Sequence, residues 1–207
     1  NAFDLALEEI NQKYSFKLEL VYEDTQSELD SAVSAVRKLI EIDKVNVILG
    51  PVRSNDVLAV APITEENKVI LFTPIASAEE ITQAGDYVFR TRETAKAHGI
   101  GMADFLSGKG VKKLALFVAK SANSQSYADF LEKRFSENGG SIVFRIDYDE
   151  NNSDFRTDIV KAKNDGAEAF YISAALGNDG GTVLKQIRES GFNGLVPGSV
   201  GLESADL

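Results

Sequence analysis

The sequence predicts an α/β fold in which two parallel sheets are flanked by helices. The first observation is that amphipathic helical stretches alternate with short apolar runs along all 207 residues, the pattern of repeated βα units. The second is that the runs at 45–49 and 69–72 are almost entirely apolar, as in parallel strands buried on both faces. The third is a helix-ending signal, Asn138-Gly139-Gly140, after one of the helical stretches.

In the first half, apolar residues at helical spacing predict the first helix, with Phe3, Ala6, Leu7 and Ile10 on one face. The predicted helices cover 2–12, 27–42 and 54–67, and a short helix follows Ser77. Residues 16–22 alternate between apolar and polar, which predicts a strand. The other predicted strands cover 45–49, 69–72 and 87–90.

The second half repeats the same order of elements. The predicted helices cover 94–107, 125–138, 154–164 and 179–190. The predicted strands cover 114–118, 142–146 and 169–173, and a last strand opens at 195–196. In parallel sheets of this kind, ligands bind outside the carboxyl ends of the strands. The residues that follow each strand are therefore the candidates for a site.

Composition excludes several classes of partner and site. The chain has 22 basic and 32 acidic residues, so its net charge is −10. Such a surface repels nucleic acid and anionic membranes, and we expect no nucleic-acid partner. The sequence has no cysteine, which excludes disulfides, thiolate metal sites and a cysteine nucleophile. No apolar run approaches the roughly 20 residues that span a bilayer.

Enzyme motifs are weak or missing. No G-x-G-x-x-G follows a strand and no phosphate-binding G-x-x-x-x-G-K-[ST] occurs. The glycine-rich stretch 177–181 lacks a lysine, so it is interpreted as a flexible connection. His98 is the sole histidine, and no G-x-S-x-G accompanies it. The acidic stretch 147–150 lacks the spaced ligands of a calcium loop and is interpreted as a solvated turn. We expect no enzymatic activity, cofactor or metal.

Two serines stand where a helix begins directly after an apolar strand. Ser54 lies in the loop 50–55, and Ser77 lies in the loop 73–80. The unpaired N–H groups at a helix start favour a carboxylate, and a serine hydroxyl can donate to the same anion. Serine is also a common N-cap, and Ser77 with Glu80 matches a capping box. Both interpretations stay open from spacing alone.

At these loops the sequence resembles the leucine/isoleucine/valine-binding protein family. The residues that carry the resemblance are VILGPVRS (47–54), FTP (72–74), GDYVFRT (85–91), SDF (153–155) and DGAEAFY (165–171). Members are type I periplasmic binding proteins, two-lobed proteins that deliver solutes to the permease of an ABC transporter. The resemblance implies a location in the periplasm or outside the cell, free or as a membrane-anchored lipoprotein.

The resemblance also implies a ligand site between the lobes. From the first lobe, the carboxylate and amino group of a ligand are held by Ser54, with Arg53 beside it, and by the loop of Ile75, Ala76 and Ser77. From the second lobe, the implied contacts are Asn123, Ser124, Leu176 and Val200. Two of these positions depart from the family, because the segment 121–126 lacks its cleft aromatic and Leu176 is not aromatic either.

Val200 is the departure that bears on the ligand. It stands where amino-acid binders place an acidic residue against the ammonium group. A buried ammonium without a charge partner is strongly disfavoured. The sequence therefore predicts that leucine, isoleucine and valine are not preferred ligands. Carboxylates without an α-amino group, such as aromatic or keto acids, or small amides fit better.

The resemblance divides the chain into a first lobe (1–92), a hinge segment (93–95) and a second lobe (96–207). The chain opens on a helix where the family has a strand, and it stops soon after Val200. We therefore expect an incomplete fold whose unpaired sheet edges favour a dimer. Two alternatives remain open, namely a sensory receptor with the same fold and a flavodoxin-like or Rossmann-like enzyme.

Overall fold

The computed structural model describes residues 2–175 and 177–202. The first half forms a three-stranded parallel sheet of order β1-β2-β3, which we call the N-terminal sheet. Its strands are β1 (Val47–Leu49), β2 (Ile70–Thr73) and β3 (Val88–Arg90). The helices are α1 (Ala2–Lys13), α2 (Leu29–Glu41) and α3 (Ser54–Asn67), with a 3₁₀ turn at Glu79–Gln83.

The second half forms another parallel sheet, of order β5-β4-β6, which we call the C-terminal sheet. The strands are β4 (Lys113–Ala119), β5 (Ser141–Tyr148) and β6 (Ala169–Ser173). The helices are α4 (Ala95–Gly108), α5 (Ala122–Glu137), α6 (Arg156–Asn164) and α7 (Gly177–Glu189), and a 3₁₀ turn covers Val200–Leu202. The predicted α/β class with parallel sheets is confirmed.

The C-terminal sheet is buried on both faces. All five residues of β6 and six of the seven in β4 are buried. One face packs Phe117 and Phe170 against α6, α7 and Phe155, which precedes α6. The other face packs Leu114 and Leu116 against α4 and α5. The strands β4 and β6 are apolar along their length because helices cover both faces of the sheet.

The N-terminal sheet is covered on one face only. Ile48 and Leu71 pack against α2 and α3, which both lie on the same side. On the other side, Val47 is 50% exposed, Leu49 48% and Phe89 49%. The prediction that 45–49 is buried on both faces is therefore wrong for the described residues. On this side of the sheet, the described helices leave the side chains of β1 about half exposed.

Residues 16–22 do not form the predicted strand. The segment has no ladder partner within the described chain, and Phe16 and Tyr22 are exposed. Instead, the Asn11 side chain bonds to both backbone groups of Leu18, over 3.0 and 2.7 Å. Alternation alone does not make a strand, because the backbone groups need a partner. At the other end, the predicted strand at 195–196 is reduced to two isolated bridges to β6.

The glycine-rich stretch 177–181 is helical rather than a flexible connection. It forms the first turns of α7. A Cβ atom at Gly180 would lie 2.7 Å from the Ala174 Cβ and 2.2 Å from a methyl of Leu202. Glycine therefore permits a close approach between α7 and the chain on either side of it. The glycines predict a flexible connection, whereas in the structure they belong to a helix and allow close packing.

Candidate ligand-binding site

The connections that follow the strands converge on one cavity of about 240 Å³. Each contributing segment lies just beyond the carboxyl end of a strand or of the bridges to β6, where parallel sheets bind ligands. The lining comes from both halves of the chain. The residues are Val52, Arg53, Ser54, Asn55, Ile75, Ala76, Ser77, Arg92, Ser121, Asn123, Tyr127, Ala175 and Val200.

Seven of the nine residues singled out in the sequence lie around this cavity. They are Arg53, Ser54, Ile75, Ala76, Ser77, Asn123 and Val200. Ser124 is not part of the lining: it is fully buried, and its hydroxyl accepts a hydrogen bond from Ser121 over 2.9 Å. Leu176 lies outside the described residues. Sequence reasoning did not single out Arg92, Tyr127 or Ala175 as site residues.

Neither serine at the predicted helix starts acts as a cap. The N-cap position of α3 is Arg53, without a side-chain bond, and the 3₁₀ turn begins after Ala78, also without one. Ser54 Oγ instead accepts from the backbone N–H of Ala78, over 3.3 Å. Among the described residues nothing accepts the Ser54 hydroxyl proton, so this side chain can donate to a ligand at the start of α3.

Ser77 connects the two halves of the chain. Its hydroxyl donates to Asn123 Oδ1, and the Tyr127 hydroxyl lies 2.9 Å from the same Ser77 oxygen. A hydroxyl has one proton, so Tyr127 is the donor to Ser77. The capping box with Glu80 does not form, because Ser77 is turned towards α5. This leaves the Asn123 amide N–H groups without an acceptor among the described residues.

Tyr127 supplies a cleft aromatic where none was predicted. The predicted start of α5 was residue 125, but Ser121 caps a helix that begins at Ala122, its Oγ accepting from the Ser124 N–H over 3.2 Å. With this start, Asn123 and Tyr127 are four residues apart on one helix face. The Ser121 N-cap pattern was the signal in the sequence that could have placed Tyr127 at the site.

Three further contacts join the halves beside the cavity. Arg53 forms a two-pronged ion pair with Glu150, at 2.8 and 3.1 Å. The backbone N–H of Ala122, at the start of α5, donates to Asn55 Oδ1 over 2.7 Å. The Glu79 N–H donates to Ser126 Oγ over 3.2 Å. The two halves are therefore closed on each other around the cavity.

The acidic stretch 147–150 is not merely a solvated turn. Glu150 is the partner of Arg53, and Tyr148 is buried with its hydroxyl donating to Asp179 over 2.7 Å. Asp179 also accepts from the backbone N–H of Ala175, over 3.2 Å. Burial raises the pKa of Tyr148, with the Asp179 contact acting in the same direction. Tyr148 therefore stays a neutral donor that helps to hold the Ala175 segment.

The electrostatics of the cavity are dominated by arginine. Arg53 and Arg92 line it, whereas no acidic side chain does so within residues 2–175 and 177–202. Arg53 is neutralised by Glu150. In the same first turn of α3, burial raises the pKa of Asp56, and the charge of Arg53 opposes this shift. The cavity thus offers hydrogen-bond donors and one arginine, Arg92, that forms no ion pair with a described residue.

Other kinds of site have no support in the described part of the chain. Across 2–175 and 177–202, no three His, Asp or Glu side chains are grouped so as to hold a metal ion. Over the same residues, no helix has both the length and the apolar character required to cross a membrane.

A family model described as "Periplasmic binding protein" matches residues 1–206. The chain belongs to this family. Its closed pair of parallel sheets with a cavity between them is the type I periplasmic binding protein fold. The resemblance to leucine/isoleucine/valine-binding proteins is thereby confirmed.

Individual relatives of this periplasmic binding protein differ in the ligands that their names state. The Leu/Ile/Val-binding protein homolog 3 of Brucella melitensis is 28% identical over 98% of the chain and 56% of its own length. The leucine-binding protein LivK of Thermotoga maritima is 30% identical with a TM-score of 0.92, over 98% of the chain and 58% of LivK. A solute-binding protein of Rhodopseudomonas palustris BisB5 was solved with 3,4-dihydroxybenzoic acid. It is 29% identical with a TM-score of 0.84, over 95% of the chain and 55% of that protein. The chain thus spans a little over half the length of these relatives.

Proposed function

We propose that this periplasmic binding protein captures a small polar solute, a carboxylate or an amide, and delivers it to the permease of an ABC transporter. The observation that carries the proposal is the cavity between the two sheets, lined by free donors and closed by contacts from both halves. It acts outside the cytoplasm, in the periplasm or as a lipoprotein anchored to the membrane. It catalyses no reaction, because its role is to hold the solute and release it unchanged.

The proposed moving parts are a first lobe of residues 1–92, a hinge at 93–95 and a second lobe of 96–207. The hinge ends at Ala95, the first residue of α4, whose N–H donates to the Ser77 carbonyl over 2.7 Å. Binding would favour the closed arrangement in which Ser77 reaches Asn123 and Arg53 reaches Glu150. Such closure places residues of both halves around the ligand.

The proposed ligand lacks an α-ammonium group. Val200 lines the cavity where an acid would be needed, and the described lining contains no other acid. An ammonium placed there would be desolvated without a charge partner. The cavity is below the roughly 300–1,000 Å³ of drug-sized sites, so the ligand is small. Aromatic acids, keto acids and small amides satisfy both conditions, and the relative solved with 3,4-dihydroxybenzoic acid belongs to the first group.

The test of the proposed function is to identify what the protein carries. The purified chain is denatured, and the released small molecules are identified by mass spectrometry. A stoichiometric organic acid or amide supports the proposal. Recovery of a nucleotide or flavin would contradict it and would favour the enzyme alternative. If no ligand is retained, the same protein is titrated with the carboxylates named below, and failure to bind any of them also contradicts the proposal.

Ser54→Ala should weaken ligand binding while leaving the fold intact. Its free hydroxyl proton lies at the start of α3, and a hydrogen bond to a charged group contributes about 1.5–3 kcal/mol. We expect binding of the identified ligand to weaken by this amount in calorimetry. The control is Ser136→Ala, an exposed serine on α5, which should change nothing. Equal affinity of Ser54→Ala and the parent protein would remove Ser54 from the site.

We also propose that two copies pair through the N-terminal sheet. Within the described chain, β1 has a partner only on its β2 side, and the exposed apolar side chains Val47, Leu49 and Phe89 lie on the sheet's open face. Unpaired edges of this kind associate readily. Light scattering should show a dimer that Leu49→Lys converts to a monomer. A parent protein that stays monomeric as its concentration is raised contradicts the proposal.

A further inference from the structure

We infer that Arg92 selects the ligand's charge, so that the cavity takes a small monoanionic carboxylate in preference to a zwitterionic amino acid or a neutral amide. This inference rests on the proposed function and narrows it. Arg92 lies between β3 and α4, on the connection that passes from one sheet to the other. It is partly buried and lines the cavity.

Arg92 forms no ion pair with a described residue. Its chain neighbour Glu93 bonds to His98 over 2.6 Å and interacts with the Arg92 charge only at longer range. The other arginine at the cavity, Arg53, is occupied by Glu150. Within residues 2–175 and 177–202, no carboxylate lies at ion-pairing distance from the Arg92 guanidinium. Such a group attracts an anion to the cavity wall locally, although the chain as a whole has a net charge of −10.

The chemistry of guanidinium narrows the ligand further. Its planar fork pairs with a carboxylate through two parallel N–H···O bonds, which an amide oxygen matches only in part. Ser54 and Asn123 add neutral donors, and Val52, Ile75 and Val200 add apolar wall. An ammonium group would face Arg92, and the described lining contains no acid to offset the repulsion. The lining therefore fits a single carboxylate on a small apolar or aromatic body.

The experiment compares pairs of compounds that share a carbon skeleton and differ in the charge of one functional group. Benzoate is paired with benzamide, and α-ketoisocaproate is paired with leucine, which has the same carbon skeleton. The fifth compound is 3,4-dihydroxybenzoate, the ligand in the related structure. Affinities are measured by calorimetry for the parent protein, Arg92→Gln and Arg92→Lys. Arg156→Gln, on an exposed arginine at the start of α6, makes the same change in net charge and serves as the control.

We expect the parent protein to bind at least one carboxylate tenfold or more tighter than its uncharged or zwitterionic match. Arg92→Gln should weaken that carboxylate by roughly 10- to 100-fold, in line with the loss of a charge-assisted bond. The affinity for the amide should not change, so the preference for the carboxylate is lost. The affinity of Arg92→Lys for the carboxylate should lie between those of the parent protein and Arg92→Gln, and Arg156→Gln should bind as the parent does. Thermal unfolding should be the same for all four proteins.

Two results would overturn the role of Arg92 while leaving intact the proposal that the protein captures and delivers a small solute. One is a parent protein that binds leucine or benzamide at least as tightly as the matching carboxylate. The other is an Arg92→Gln variant that still prefers the carboxylate, or whose affinity falls equally for all compounds. A parent protein that binds no compound and releases no small molecule on denaturation overturns both the function and the inference.

Discussion

Phe117→Ala should lower the free energy of unfolding by about 3–5 kcal/mol, the range for truncating a buried aromatic side chain. Phe117 is fully buried in the middle of β4. Its ring contacts Phe144, Phe155 and Phe170 at centroid distances of 5.8, 6.1 and 5.8 Å. Removing it leaves a cavity that three aromatic neighbours border. Urea unfolding monitored by circular dichroism measures the loss.

The control for this substitution is Phe105→Ala on α4, where the ring is 47% exposed. It removes the same group from a surface, so the expected change is below about 1 kcal/mol. In a chain of this length, each kcal/mol shifts Tm by about 2–4 °C. Equal losses at the two positions would mean that the C-terminal sheet is not packed as described.

Gly99→Ala should destabilise the protein, although alanine is the better helix former. A Cβ at residue 99 would lie 2.7 Å from the Tyr127 carbonyl oxygen, 2.8 Å from the Phe130 Cβ and 2.9 Å from the Leu131 nitrogen. Two of these atoms are backbone atoms of α5, so α4 and α5 must separate. Overpacking of this kind costs about 1–3 kcal/mol. Because α5 carries Tyr127 and Asn123, ligand affinity should fall as well.

Gly101→Ala is the matched control, two residues along the same helix. A Cβ there meets nothing within 4 Å, so the substitution should stabilise the protein by about 0.5–1 kcal/mol. Urea unfolding should therefore separate the two variants by roughly 1.5–4 kcal/mol. If both glycines gave a gain in stability, the close contact between α4 and α5 would be refuted.

The regular elements were predictable where periodicity and packing agree. Helix 54–67 and strand 169–173 match α3 and β6 residue for residue. The amphipathic pattern of α3 matches a helix with one buried face, and the continuous apolar pattern of β6 matches a strand buried on both faces. Residues 16–22 show the opposite case, because their alternation is a property of the segment but a strand requires a second chain segment beside it.

The site was predictable in its position but not in its bonding. Rules for parallel sheets and the family resemblance placed Ser54, Ser77 and Asn123 beside strand ends, where the cavity lies. The direction in which Ser77 points depends on Tyr127, 50 residues later, which no local pattern encodes. Arg92 was missed for a related reason: whether a carboxylate pairs with its guanidinium depends on partners in space, which are not visible in the sequence.

The backbone N–H of Ala122 donates to Asn55 Oδ1 in the opposite half. This hydrogen bond can report how often the two halves separate. Helix α5 can stay folded while the halves separate, yet this one amide then loses its acceptor and faces water. Its proton should exchange with deuterium at a rate set by how often the halves part, whereas amides deeper in α5 exchange only when the helix itself opens. A bound solute that holds the halves together slows the exchange of this proton, so the exchange rate of one backbone amide reports whether the site is occupied.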